Sequence, residues 1–262
     1  MDNHLLLIFI AVIPVVFILV FVYHNDKTKE PWTLLLQFFG LGILSCGMVL
    51  LISYLLGFIF PFMTMNLAEM DMFSILLYSF VGVAFVEEIC KWIMVFFRGY
   101  RSKEFDEVYD MIVYAVFVSL GFAFVENIIY ILGNGNLQTA ILRAFSAIPG
   151  HACDAVFMGY YLSLAKQCHH RNHYDSEKYN ILLSILVPAF LHGIYDFCLF
   201  SGIQALLVAF LIFIIFLYVI SILKLKELSN AKQEMKKKNR FCPKCGKELE
   251  NGECKDCEGR QD

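Results

Sequence analysis

Nine residues in this sequence have side chains able to do chemistry, yet lie in or beside long apolar runs. Glu87, Glu88 and Lys91 come first, then Glu126, then Arg143, His151 and Asp154, and finally His192 and Asp196. On a helix, Lys91 sits four residues from Glu87 and three from Glu88, so its ammonium can neutralise either carboxylate. His192 and Asp196 share a face at i,i+4, and His151 and Asp154 are i,i+3 neighbours. A carboxylate held between desolvation and a nearby cation can serve as a general base near neutral pH. A histidine fixed by a carboxylate keeps one tautomer and can donate to a developing oxyanion. A base for water and donors for the attacked carbonyl are what hydrolysis requires.

Such residues need elements to carry them, and the composition says which. Of 262 residues 59% are hydrophobic and only 17% charged, with 26 Phe and a mean hydropathy of +0.64. Soluble domains run nearer 45–50% apolar and about 25% charged. A disordered chain, a nucleic-acid binder built on basic charge and a disulfide-stapled secreted domain are excluded. The fold class expected is an all-α polytopic membrane protein. Seven stretches reach the roughly 20 apolar residues a spanning helix needs: 5–23, 34–60, 73–97, 110–132, 138–165, 180–200 and 203–224. The second and fifth exceed that length, so tilt or a break is expected. Pro149–Gly150 in the fifth and Pro188 in the sixth can disturb the helix, and Pro188 is expected to open the backbone near His192. The first stretch lacks the basic n-region and small-residue cleavage site of a signal peptide.

Orientation follows from the cations. Lys27 and Lys29, then Arg98, Arg101 and Lys103, then Lys166, Arg171 and Lys178 mark three connections, and eleven further Lys and Arg lie from Lys224 onward. The connections near 61–72, 133–137 and 201–202 have none. This alternation is in phase with seven crossings and predicts an N-terminus outside and a cytoplasmic C-terminus. Measured from the cytoplasmic ends of their own spans, Glu87, Glu126, His151, His192 and Asp196 all lie roughly 15–24 Å deep. Insertion scales charge roughly 2.5–3.5 kcal/mol for each such ion in lipid, or on the order of 15–20 kcal/mol for the five acids and Lys91. The groups must therefore face one another or water. Arg143, nearer the outer end of its span, is expected to snorkel and is left out of this layer. Phe85, Phe122 and Phe124 are expected to pack.

Beyond the membrane domain (1–224) the sequence changes character. A charged linker, 225–240, carries Lys236, Lys237, Lys238 and Arg240, which could meet anionic lipid. It leads to a short module, 241–258, with Cys242-Pro-Lys-Cys245 and Cys254-Lys-Asp-Cys257. Two CxxC knuckles so close supply four thiolates to one structural zinc, and such a segment has too little core to fold without metal. The alternative is a redox pair. Cys46, Cys90, Cys153, Cys168 and Cys198 are scattered and are read as small apolar residues.

The motifs resemble a known family. Glu87-Glu88-Ile-Cys-Lys91 reads as EExxK, Phe122-Ala-Phe-Val-Glu126 as FxxxE and His192-Gly-Ile-Tyr-Asp196 as HxxxD, with Gly150-His151-Ala152 between them. In this order on successive spans they are similar to the PrsW-type intramembrane proteases, relatives of the CAAX prenyl proteases and abortive-infection proteins. The resemblance covers about 1–200. It implies site-1 cleavage of membrane-anchored substrates such as anti-sigma factors in a bacterial plasma membrane. Glu87 and Glu88 would be the essential acid pair, with His192 a catalytic or oxyanion residue. Glu126 and Asp196 would complete the centre with Lys91 and His151. The prenyl-protease branch has His where this chain has Glu126. A metal-free, glutamate-dependent mechanism is favoured, although Glu, His and Asp are also legitimate zinc ligands.

Three functions are compatible with these residues. The first is an intramembrane endopeptidase acting on a tethered protein. The second is a proton-coupled transporter, since intramembrane acid and histidine chains also relay protons. It is disfavoured because the halves show no internal repeat. The third is a non-catalytic adaptor recruiting a cytoplasmic protein partner through the zinc ribbon.

Overall fold

A computed structural model describes residues 2–26, 28–102, 105 and 108–238, and these are helical with no strand among them. The zinc ribbon expected over 241–258, with Cys242, Cys245, Cys254 and Cys257, lies outside the described residues. Among the described residues nine α-helices follow in order: α1 Asp2–Asn25, α2 Trp32–Gly57, α3 Met72–Leu77, α4 Val86–Val95, α5 Asp110–Asn134, α6 Leu137–Phe145, α7 Ala147–His170, α8 Tyr174–Phe200 and α9 Gln204–Lys238. A π-helical segment, Tyr78–Phe85, joins α3 to α4, and a second, Phe96–Tyr100, follows α4. The whole run Met72–Tyr100 is one membrane-length element.

Among the described residues, six helical elements are long and apolar enough to cross a bilayer. The further crossing expected from the sequence, 138–165, is not among these six: the stretch forms two helices broken at Ser146, whose φ of −121° and ψ of −59° depart from helix. The break falls three residues before Pro149, not at it. Pro149 occupies the first turn of α7, where its missing N–H has no helical partner to lose. α8 runs without interruption through Pro188, contrary to the expected opening. The proline is buried, and packed neighbours hold a membrane helix through such a site. α9 continues to Lys238 instead of ending at 224. Residues 225–238 are mostly Leu, Lys, Glu, Gln and Ala, with no Gly or Pro to stop them.

Asp71 caps α3 by accepting from the Ser74 N–H at 2.8 Å, and Asn136 caps α6 by accepting from Thr139 at 2.7 Å. Gly135, at φ +46°, ends α5 in the left-handed turn that a β-carbon would strain. α5 and α7 form the centre. Seventy-two per cent of the apolar window of α5 is buried against 18% for α1 and 22% for α9, which face lipid. α7 packs on α5, α8 and α9, while α5 packs on α1 and α2. Met111 to Leu120, with Phe38, Ile148 and Leu162, fill the core, and Phe38 stacks on Tyr114 at 4.3 Å.

Close helix crossings depend on glycine. A β-carbon at Gly42 would lie 2.0 Å from the Val118 carbonyl oxygen, one at Gly121 2.1 Å from that of Phe39, and one at Gly159 2.5 Å from Ile112 Cα. These are backbone atoms and have no rotamer to yield. They draw α2 and α7 onto α5, and thereby set where the polar groups of α5 and α7 meet. Gly40 and Gly47, on the same helix as Gly42, have nothing within 4 Å. Gly42→Ala should cost at least about 2 kcal/mol through overpacking, read as a fall of roughly 4–8 °C in the melting midpoint of solubilised protein. Gly40→Ala and Gly47→Ala should leave the midpoint unchanged or slightly raised, because alanine favours helix. Equal midpoints for all three variants would show that the α2–α5 crossing is looser than described.

Candidate active site

Four helices deliver their polar side chains to one buried layer. α4 brings Glu87, Glu88 and Lys91, α5 brings Glu126, α7 brings His151 and Asp154, and α8 brings His192 and Asp196. The sequence-based site is thus assembled in full: all seven residues proposed for it, with Asp154, line or back one cavity. Immediately before Glu87 the helix widens into the π segment Tyr78–Phe85, a local geometry that recurs at functional sites. Gly193 beside His192 lets α8 lie against the Phe80 ring of that segment, where a β-carbon would approach to 2.4 Å.

Lys91 is the hub. Its Nζ donates to Glu88 Oε1 at 2.7 Å and Glu87 Oε2 at 3.3 Å, and lies 3.3 Å from His151 Nδ1. The Phe122 ring closes the remaining side at 4.1 Å as a cation–π contact, so this phenylalanine does more than pack. Lys91 and Glu88 are fully buried. His192 bridges α4 to α8: Nδ1 is 3.0 Å from Glu88 Oε1 and 3.9 Å from Asp154 Oδ2, while Nε2 is 3.9 Å from Glu87 Oε2 and 3.5 Å from Asp196 Oδ2. His151 Nε2 lies 2.9 Å from Glu126 Oε2, and its ring sits edge to face with His192 at 5.2 Å. Ser119 donates to the His151 carbonyl at 2.8 Å and pins that turn of α7 to α5.

The two consecutive glutamates do not share a situation. Glu87 lines a cavity of about 670 Å³ together with Glu126, His151, Asp154, His192 and Asp196, whereas Glu88 and Lys91 stand behind its wall. Met63 lies in the connection 58–71, and the other lining residues lie within a residue of the midpoint of the runs 32–57, 72–100, 110–134, 137–170, 174–200 and 204–238 or in the half nearer the connections 58–71, 135–136 and 201–203, the ones without Lys or Arg. Toward the other face the bundle is filled by the core residues of α5. Glu88 Oε2, Asp154 Oδ1 and Asp196 Oδ2 are buried without a hydrogen-bond partner among the described residues. One donor atom each from Glu87, Glu88, His151 and His192 falls within 4.8 Å of the others, a set able to hold a metal ion.

The structure corrects one expectation at the rim. Arg143 does not snorkel. Its Nη2 donates to Glu126 Oε2 at 2.6 Å and its Nε to Asn127 Oδ1 at 2.5 Å, with the guanidinium 3.8 Å over the Tyr130 ring. The break at Ser146 turns α6 across the cavity mouth, which aims the side chain inward rather than along a straight helix toward the surface. The signal available in sequence was Asn127 beside Glu126, a second polar residue on the face an inward arginine would need.

The family model for "PrsW family intramembrane metalloprotease" matches residues 30–222. Curated relatives include Protease PrsW of Oceanobacillus iheyensis, 36% identical over 216 residues, covering 82% of this chain and 93% of that protein. Protease PrsW of Geobacillus kaustophilus is 38% identical over 196 residues, covering 74% and 80% respectively. Protease PrsW of Bacillus subtilis is 33% identical over 221 residues, covering 83% and 93%. No solved structure matches this chain.

The hub generates a stability prediction. Lys91→Met removes the cation shared by two buried carboxylates, and breaking a buried pair from one side costs about 3–5 kcal/mol. The double variant Glu88→Gln with Lys91→Met removes both partners of the shortest contact and should recover part of that loss, since contacting residues couple. Thermal unfolding of solubilised Lys91→Met, Glu88→Gln and the double variant reads this directly. Additive losses would mean that Lys91 and Glu88 do not interact.

Proposed function

The chain belongs to the PrsW family and is a multi-pass membrane peptidase, and from that premise we propose a glutamate-dependent cleavage of membrane-anchored proteins. One observation carries the reading: a cavity within an apolar bundle ends on Glu87, with His192 and Asp196 across from it. Glu87, as the cavity-facing carboxylate, takes a proton from water as the oxygen attacks the scissile carbonyl. His192, held through Nδ1 by Glu88, acts in its protonated form and presents Nε2–H to the tetrahedral oxyanion. Collapse breaks the C–N bond, and the proton on Glu87 passes to the departing amine. Both nitrogens of His151 are engaged, by Glu126 and Lys91, so it supports the centre instead of contacting substrate. Lys91 and Glu88 hold the geometry from behind.

The family's description and the four-donor set favour a second reading, in which Glu87, Glu88, His151 and His192 hold a metal. The metal would polarise the carbonyl and supply an activated water. Against it, Lys91 Nζ stands 2.7–3.3 Å from three of these four donors, where an ion bound at about 2 Å would meet an ammonium. The donor set as it stands is served by an internal cation.

By the positive-inside rule the connections lacking basic residues face outward. The cavity then opens on the non-cytoplasmic side, with the N-terminus outside and the C-terminus cytoplasmic. Water and an extended substrate segment enter from that side, which suits removal of an ectodomain from a tethered protein such as an anti-sigma factor. The ribbon at 241–258 binds one structural zinc through Cys242, Cys245, Cys254 and Cys257 on the opposite face, a place from which it can recruit a cytoplasmic partner.

Two measurements test these assignments. Mass spectrometry of membrane-protein N-termini should find a tethered protein that loses its ectodomain with wild type and keeps it with Glu87→Gln. The rate loss for removing such a base is about 10²–10⁴-fold. Identical N-termini at equal protein levels would end the proteolytic reading. In full-length protein with all four ribbon cysteines changed to serine, zinc content should fall by one equivalent while cleavage survives chelators. Cleavage lost to a chelator and restored by zinc would favour the metal reading instead.

A further inference from the structure

Arg143 lies outside the EExxK, FxxxE and HxxxD motifs, yet it is bonded to the one acid that orients His151. Glu126 Oε2 is shared: Arg143 Nη2 reaches it at 2.6 Å from α6, and His151 Nε2 at 2.9 Å from α7. Asn127 Oδ1 and the Tyr130 ring fix the guanidinium from the next residues of α5, so the arginine has a built seat. α6 itself is tied down beside it. Tyr195 donates to Ser146 Oγ at 2.9 Å, and Tyr218 donates to the Phe145 carbonyl at 2.7 Å.

The consequence runs through hydrogen-bond polarity. Ionised Glu126 can only accept, so His151 must carry its proton on Nε2. Nδ1 is then a lone pair, and it faces Lys91 Nζ, which can only donate. Acceptor meets donor, and Lys91 is left oriented toward Glu88 and Glu87. If Glu126 carried a proton and donated it to Nε2, the ring proton would move to Nδ1. Two donors would then oppose one another at 3.3 Å, and Lys91 would be driven out of its seat. A guanidinium on Glu126 Oε2 is what keeps that oxygen an acceptor.

We propose that Arg143 is a positioning residue for the peptidase reaction, setting the direction of the hydrogen-bond chain Glu126–His151–Lys91 and through it the placement of Glu87 and Glu88. This rests on the proteolytic reading above. It assigns Arg143 no contact with substrate, and its effect appears in turnover instead of in binding.

The test compares wild type, Arg143→Lys, Arg143→Met, Glu126→Gln and the double variant Glu126→Gln with Arg143→Met. All are full-length, in proteoliposomes, at equal protein, acting on the tethered substrate found by N-terminal mass spectrometry. Arg143→Met should lower kcat about 10²-fold, the scale of a small misplacement of reacting groups, with KM changed less than about threefold. Arg143→Lys should restore most of that loss. The double variant should be no slower than Glu126→Gln alone, because the arginine acts only through that acid. Should Arg143→Met fail to accumulate, Arg143→Lys with and without Glu126→Gln reads the same coupling. Wild-type kcat in Arg143→Met, a change confined to KM, or losses that multiply in the double variant would overturn the inference. If wild type and Glu87→Gln release the same products, the proteolytic reading fails and this inference falls with it. If wild type cleaves and Arg143→Met cleaves equally well, only the role of Arg143 is lost.

Discussion

The ammonium of Lys91 is the interaction on which the rest of this structure depends. An apolar bundle cannot take Glu87 and Glu88 into its centre without a counter-charge, because burying an unpaired carboxylate costs several kcal/mol. Lys91 supplies that charge from the same helix, one turn away, and its position is fixed from three further sides by Glu88, His151 and Phe122. The remaining acids are answered in the same manner. Glu126 has Arg143 and His151, and Asp154 and Asp196 flank His192. Charge alternates across the layer, and the links Lys91–His151, Glu88–His192, Asp154–His192, Glu126–His151 and Glu126–Arg143 each join two helices that the loops alone would not hold together.

That requirement explains features which look unrelated at the level of secondary structure. Gly42, Gly121 and Gly159 let α2, α5 and α7 approach until backbone meets backbone. Gly193 lets α8 come equally close to the Phe80 ring. Without these approaches, the 3.0–3.9 Å distances between groups on α4, α7 and α8 could not all be met at once. The π segment ahead of Glu87 and the break at Ser146 are the two departures from regular helix near the layer. Both lie on the cavity side.

How much of this was legible in the sequence differs by kind. The polar layer could be read directly, because a charged residue in an apolar span has few places to go, and spacing of three or four names its partner. The helical class and the family motifs followed from the same residues. Arg143 was misplaced for an instructive reason: depth along a span is readable, but facing depends on whether the helix is straight, and the turn at Ser146 leaves no proline or glycine at the break itself. Pro149 and Pro188 gave the opposite error. One sits where its missing donor has no consequence, and the other is held by its neighbours, so neither marks a structural interruption. Local residue type reports a capacity to break a helix, while packing decides whether the break occurs.

The adjacency of Glu87 and Glu88 poses a last question of design, namely why a site should place two acids side by side and use them differently. Consecutive residues on a helix point about 100° apart, so one glutamate can face the cavity only if the next faces the protein. Glu88 then becomes the residue that anchors both Lys91, at 2.7 Å, and the His192 ring, at 3.0 Å, through a single oxygen. With Lys91 turned chiefly toward Glu88, Glu87 keeps a longer contact of 3.3 Å and a carboxylate that lines the cavity, as the proposed proton exchange with water requires. In the proposed mechanism a single glutamate could not be both the anchor and the base. The pair divides the two duties by geometry alone, and the helix period makes that division unavoidable once Lys91 is placed one turn later.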